Sequence, residues 1–301
     1  MSILVTGGAG FIGSNLALEL EKQGYKVTIM DNFHSGVREN LKGIKGKLIE
    51  QDVSNQINIK EKFNVIFHIA AITDPRYRDG NELYSKNVNG FKNILKLAQK
   101  NSAKLIYASS ASLYGNGPVP MKENQKKDLQ SAYAKSKLWM DEEAEKYFDK
   151  MHIVGLRYFN VFGPREAHKG RPASMIFHLY NQIKEGKRPR LFKWGEQMRD
   201  HIYVKDIVDA TIKAINAKKS GVYNVGTGIG TSFNNVVKVL NGVLGKNLEP
   251  EYFDNPYPTK TYQANTQANI TKAEKYLGFK AKYSFKEGVK EYANWMEKNK
   301  K

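Results

Sequence analysis

Tyr133 and Lys137 stand four residues apart, a spacing that puts a phenol and an ammonium on one face of a helix. A phenol ordinarily titrates near ~10. Positive charge from Lys137 and from an oxidised nicotinamide favours the phenolate, which makes Tyr133 a base able to take a hydroxyl proton. Ser110, in the run Ser109-Ser110-Ala111-Ser112, would hydrogen-bond the same hydroxyl and hold it in line for hydride departure. Taken alone, residues 133–137 read equally well as an exposed amphipathic turn. The loop Gly7-Gly8-Ala9-Gly10-Phe11-Ile12-Gly13 weighs against that reading, because it is built to hold the dinucleotide that accepts a hydride.

Gly7, Gly10 and Gly13 follow the apolar run Ile3-Leu4-Val5 and open a helix. Backbone amides and the positive end of the helix dipole then face a pyrophosphate, while Gly13 lets the helix pack closely. Phe11 and Ile12 within the loop belong to the same cofactor set, as does Asn87. Asp31 ends the second predicted strand, where a carboxylate accepts the hydroxyls of the adenosine ribose. That position favours NAD. Arg38, seven residues on, would equally grip a ribose 2′-phosphate, so the expected cofactor is one tightly bound NAD(P), with NAD against NADP open. Asp52-Val53 would meet the adenine, although Asp52 reads nearly as well as a turn cap. Ala70-Ala71 would line the cofactor crevice.

Strands at 1–6, 25–31, 47–51, 65–69, 104–109 and 152–157 must position these groups, with helices at 14–23, 83–100 and 132–150 between them. Alternation of this kind predicts an α/β fold with a doubly wound parallel sheet. Beyond Gly163-Pro164 the pattern loosens, which predicts a smaller C-terminal substrate lobe made of 164–199 and 226–301. Residues 1–163 would form the NAD(P)-binding unit, rejoined by strands at 200–204 and 221–225 around a helix at 205–217. Residues 252–262, rich in Pro and Asn, predict a substrate-side loop, and 273–298 two helices.

The chain has 301 residues and no cysteine, which excludes disulfides, thiolate chemistry and Cys-based zinc sites; no metal site is expected. No window approaches the ~18 apolar residues of a membrane span. The apolar start runs straight into the glycine loop, leaving no room for a secretory leader, so a cytoplasmic enzyme is expected. The net charge of +18 raises a nucleic-acid reading. However, the lysines are scattered (Lys92, Lys96 and Lys100; Lys146 and Lys150; Lys213, Lys218 and Lys219) rather than gathered in an aromatic-interleaved tract. Solvated helix faces explain them, and the same field would draw in an anionic nucleotide-sugar.

Four motifs in order carry a family resemblance: Thr6 to Gly13, Asp31-Asn32, Ser109 to Gly115 and Tyr133 to Lys137. With them the chain resembles the extended short-chain dehydrogenase/reductase family over almost its whole length. Residues Arg157 to Gly170, Ala173-Ser174, Phe177-His178-Leu179, Leu191-Phe192 and Tyr262 to Ala268 are similar to the branch of nucleotide-sugar epimerases that inverts C6 of an ADP-glyceromanno-heptose. The resemblance implies a Rossmann fold, transient oxidation and re-reduction of a sugar carbon, and a homo-oligomer. It implies Lys169 as a second acid/base opposite Tyr133. Asn160, His178 and Arg199 would bind the nucleotide-sugar phosphates, and Phe192 and Tyr262 would lie beside the base or sugar. By residue type alone, Lys169 reads as a surface lysine and His178 as a core histidine. The chain departs from that branch at 71–77 and at Arg171-Pro172. A UDP-hexose 4-epimerase, a UDP-sugar decarboxylase and a dinucleotide-sensing binding protein are the alternatives.

Overall fold

The computed structural model describes residues 1–74, 77–258 and 262–299. Part of the atypical stretch at 71–77, namely Pro75 and Arg76, and part of the predicted 252–262 loop lie outside these. Among the described residues, thirteen strands run in chain order. They are β1 (Ser2–Thr6), β2 (Lys26–Asp31), β3 (Lys47–Glu50), β4 (Val65–His68), β5 (Lys104–Ser110), β6 (Ile153–Tyr158), β7 (Asn160–Phe162), β8 (Arg190–Phe192), β9 (Met198–Arg199), β10 (His201–Tyr203), β11 (Gly221–Val225), β12 (Thr231–Ser232) and β13 (Glu251–Phe253). The α-helices are α1 (Phe11–Lys22), α2 (Gly80–Asn101), α3 (Ala132–Glu145), α4 (Met175–Lys184), α5 (Val204–Lys213), α6 (Phe233–Leu244), α7 (Thr271–Leu277) and α8 (Phe285–Lys298).

Seven strands form one parallel sheet in the order β11-β6-β5-β4-β1-β2-β3. Both faces are covered at the middle of the sheet, so β1, β4 and β6 are buried along nearly their whole length rather than alternating, whereas the edge strand β3 is only partly buried. In β1, Ile3 and Val5 face α1 and α5, while Leu4 faces the α2–α3 layer; all three are fully buried. The chain reverses direction between β1 and β4, which opens a crevice at their C-terminal ends, the place where doubly wound sheets bind ligands.

Two expectations are corrected. The helix expected over 132–150 ends at Glu145, where i→i+3 bonds such as Tyr147 N to Ala144 O (3.0 Å) tighten the chain into turns. The segment at 200–204 does not rejoin the large sheet. Its strand β10 pairs in parallel with β7, the three residues that follow β6 after a break at Phe159. Of the expected returning segments, β11 alone joins the large sheet, beside β6.

A second apolar cluster, centred on Phe162, Tyr180, Phe233 and Tyr292, packs α4, α6 and α8 around β10. Asp200, between β9 and β10, fastens this region to its surroundings. Its carboxylate has no exposure and accepts Thr227 N (2.8 Å), Thr227 Oγ1 (2.7 Å), Gly228 N (2.9 Å) and Ala268 N (3.0 Å). Removing it strands three backbone donors in a dry site. Asp200→Ala is expected to lower unfolding stability by about 3 kcal/mol, read as a fall in urea midpoint at unchanged m-value; a midpoint within error of the parent would contradict this role.

Candidate active site

The turn after β1 is shaped by what it cannot accommodate. Gly7 has φ +69°, and a Cβ there would meet Ala70 N at 2.7 Å; one at Gly13 would meet the Gly7 carbonyl oxygen at 2.1 Å. Helix α1 begins at Phe11 with Gly10 as a cap that offers no side-chain hydrogen bond, which leaves its first-turn amides for another acceptor. No acidic residue occupies that turn. This cradle fits a pyrophosphate on both counts, close backbone approach and uncapped donors.

Gly7, Gly10, Phe11, Ile12 and Gly13 line a cavity of about 270 Å³ over this turn. Asp31, Asn32, Asp52 and Val53 line its far end, and Ala70, Ala71 and Asn87 its near side. Asp31 accepts Ala9 N (2.9 Å) on one oxygen and Phe33 N (2.8 Å) on the other, which fixes its carboxylate at the cavity edge. Asp52 accepts Ser54 N (2.8 Å) as a turn cap and also lines the cavity. Burial would raise its pKa, but hydrogen bonds from Ser54 and Asn32 and the charge of Lys86 bring it below the usual value. Asn87 brackets Ile72, accepting its N–H (2.8 Å) and donating to its carbonyl (3.0 Å), and so holds the segment after β4.

Arg38 is not part of this cavity. Its guanidinium pairs with Glu50 (2.7 Å) and lies 4.4 Å from the Phe33 ring centre. Glu50 is the register partner of Asp31 across β2 and β3, which places a carboxylate where Arg38 turns to meet it.

A larger cavity of about 1020 Å³ adjoins the first, and Ser110, Tyr133 and Lys137 line it together. Ser110 ends β5; α3 carries the other two. The Lys137 ammonium is 2 % exposed, donates to the Ala108 carbonyl at 2.6 Å and lies 5.7 Å from the Tyr133 ring centre. Burial holds its pKa down to about 8, against an opposing pull from Asp141. Burial raises the Tyr133 pKa, and a hydrogen bond with Ser110 lowers it. The downward shift expected for Tyr133 is therefore not supplied by the protein's own groups, because desolvation of the phenolate outweighs them.

Lys169, in a short 3-10 turn (Ala167–Lys169), lines both cavities, with its ammonium 5.5 Å from the Phe11 ring centre. Burial lowers its pKa, while Glu166 and Asp74 pull it up. Asn160, His178, Phe192, Arg199 and Tyr262 all line the larger cavity. Asn160 accepts Thr266 Oγ1 (3.0 Å), and His178 is only partly buried, so it is not a core histidine. Arg199 donates to the Ala264 carbonyl (2.7 Å) and lies over the Tyr262 ring (5.3 Å).

Sequence reasoning passed over Phe253, Tyr257 and Arg190. Phe253 is the register partner of Phe192, the two rings lie 5.0 Å apart, and Tyr257 stacks parallel to Tyr262 at 6.3 Å. Arg190 caps the group at 4.6 Å from the Phe253 ring. The pairing of β8 with β13 that builds this aromatic wall joins residues some 60 positions apart through three-residue strands, and the sequence carries no local sign of it.

A glycine cradle at the switch point, with a serine, tyrosine and lysine in the adjoining cavity, defines a dinucleotide-dependent enzyme that works on a hydroxyl. Comparison with known proteins makes this definite. The chain belongs to the NAD dependent epimerase/dehydratase family, whose profile matches residues 3–226, and it is an enzyme of the epimerase type. It is 38% identical over 314 aligned positions to the ADP-L-glycero-D-manno-heptose-6-epimerase of Brachyspira hyodysenteriae, covering 99% of this chain and 98% of that one. The crystal structure of the Helicobacter pylori ADP-L-glycero-D-manno-heptose-6-epimerase superposes with a TM-score of 0.93 at 37% identity, covering 98% of this chain and 96% of that one. The UDP-glucose 4-epimerase of Thermotoga maritima gives a TM-score of 0.90 at 30% identity, with 99% of each chain covered. Among the described residues, no helix is long and apolar enough to cross a membrane.

The cradle yields a direct expectation. Gly13→Ala forces backbone apart at the turn, and dinucleotide affinity should fall by at least about tenfold in calorimetric titration. Affinity equal to the parent's would mean that the dinucleotide does not use this turn.

Proposed function

We propose that this epimerase inverts C6 of an ADP-linked heptose, using NAD held between a dinucleotide-binding unit (1–163) and a substrate lobe (164–199 and 226–301). The observation that carries the reading is Lys169. A partly buried lysine with a lowered pKa lines both cavities, on a different element from Tyr133. Inversion can return the proton through Tyr133 alone, but a second proton-handling group on another element suits a ketone that is re-reduced from its other face. The full-length relatives named for ADP-heptose support the substrate class.

When bound, the nicotinamide supplies reversible hydride acceptance, which turns the sugar carbinol into a ketone and back. The chain's own residues do the rest. Tyr133 holds or receives the proton at the sugar oxygen, Ser110 orients that oxygen by a shared hydrogen bond, and the Lys137 cation favours the phenolate. A raised phenol pKa suits the donating half of the cycle. The positive charge that arrives with the oxidised cofactor suits the accepting half. Lys169 would move a proton at the same oxygen once the ketone has turned. Arg199 and His178 would take the diphosphate, and the wall of Phe192, Phe253, Tyr257 and Tyr262 would take the base by stacking. Asp31 at the cavity edge favours a free 2′-hydroxyl, and Arg38, committed to Glu50, is not placed to hold a 2′-phosphate.

Incubation with ADP-D-glycero-D-manno-heptose and with UDP-glucose, followed by NMR, should show inversion at C6 of the first and none at C4 of the second; the reverse would make the chain a UDP-hexose 4-epimerase. Lys169→Ala and Tyr133→Phe should each lower kcat by about 10²-fold or more. An unimpaired Lys169→Ala enzyme would rule out the two-base scheme. Mass spectrometry of the copurifying dinucleotide should find NAD, and Arg38→Ala should leave its affinity within about twofold; NADP with a large loss would put Arg38 back in the site.

A further inference from the structure

Lys137 shares its face of α3 with Asp141, one turn on, and Asp141 is as deeply buried. The Asp141 carboxylate is saturated. One oxygen accepts Tyr107 OH (3.0 Å); the other accepts Ser109 Oγ (3.1 Å) and, from Arg157, both Nε (2.9 Å) and Nη2 (2.9 Å). Arg157 is itself 4 % exposed and passes the network on, donating through Nη1 to Tyr114 OH (2.9 Å), which donates to Asn224 Oδ1 (2.6 Å). Ser109 is the register partner of Arg157 and the neighbour of Ser110.

Several groups surround the Lys137 ammonium. From α3 come Tyr133 and Asp141. From β5 come Tyr107 and the Ala108 carbonyl. From β6 comes Arg157, behind the carboxylate. From β4 comes His68, which burial holds neutral with a pKa of about 3 and whose Nδ1 shares a hydrogen bond with Thr6 Oγ1 (2.9 Å). Among these, Asp141 carries the negative charge. Without it, two buried cations, Lys137 and Arg157, would be left with no anion between them.

We propose that Asp141 is a positioning residue for the reaction. It pins α3, and with it Tyr133 and Lys137, to the β5 end that carries Ser110, and its charge keeps the buried Lys137 ammonium protonated. The proposal rests on the reading of Tyr133 and Lys137 as the proton-handling pair. A merely structural ion pair would hold the same elements together but would leave the titration of Lys137 alone. The network separates the two roles, because Asn at 141 keeps the shape and one acceptor oxygen while discarding the charge.

The test uses the purified holoenzyme labelled with 13C at lysine Cε. Lys137 should titrate near pH 8 in the parent, as should Lys127, and the signal that Lys137→Arg removes identifies it. In Asp141→Asn its midpoint should fall by at least about one pH unit, and the alkaline limb of kcat should fall with it, while Asp141→Glu restores both. If Asp141→Asn melts without cooperativity, Asp141→Asn/Arg157→Gln takes its place. Both charges are then gone, and the midpoint should still fall because Asp141, not Arg157, is the charge that pulls on Lys137. An unmoved midpoint in a folded variant, or a kcat lowered equally at every pH, overturns the proposal. A midpoint that falls in an enzyme turning over neither sugar nucleotide upholds the charge role and instead sinks the substrate reading.

Discussion

Taking a lysine ammonium out of water costs several kcal/mol unless the surroundings replace its hydration, and the site is organised around meeting that cost at Lys137. The Ala108 carbonyl replaces one water at 2.6 Å, and the buried carboxylate a turn away supplies the balancing charge. Both partners depend on α3 lying tightly against β5 and β6. The parallel sheet, apolar on both faces, makes that packing possible. Tyr133 then falls beside Ser110 as a consequence of where its helix must sit.

The two cavities follow from the same sheet. At the switch point between β1 and β4 the chain offers backbone amides without side chains, a surface suited to phosphates and closed to Cβ atoms. Beyond it, the strands that carry Asn160 and Arg199 are held by Asp200 rather than by the large sheet, and the α4, α6 and α8 cluster backs them. The larger cavity thus has a separately braced wall, with Lys169 at its junction with the cavity over the glycine turn.

How much of this could be read from residues alone varies with the range of the interaction. The seven strands of the large sheet were legible as short, mostly apolar runs between helices, whereas 200–204 was expected to join them and does not. The glycine loop was legible because its constraint is local. The pairing of β10 with β7 was not, since His201-Ile202-Tyr203 looks like any short buried strand and its partner comes after a break at Phe159. The partner of Arg38 was hidden for a similar reason. The spacing of Arg38 from Asp31 suits a 2′-phosphate, but Glu50, beside Asp31 in register, reaches it first. Tyr133 and Lys137 share one cavity, as their spacing suggests, but burial raises the Tyr133 pKa, which spacing does not report because it reads the neighbouring charge and not the desolvation.

The central claim is that one carbon loses and regains the same hydride within a closed site. The most direct test is to prepare the ADP-heptose with deuterium at C6 and follow its inversion in ordinary water by NMR and mass spectrometry. Retention of the label at C6 of the inverted product is the predicted result. Loss of deuterium to solvent in step with inversion would mean that the carbon was deprotonated rather than oxidised, and would contradict the account.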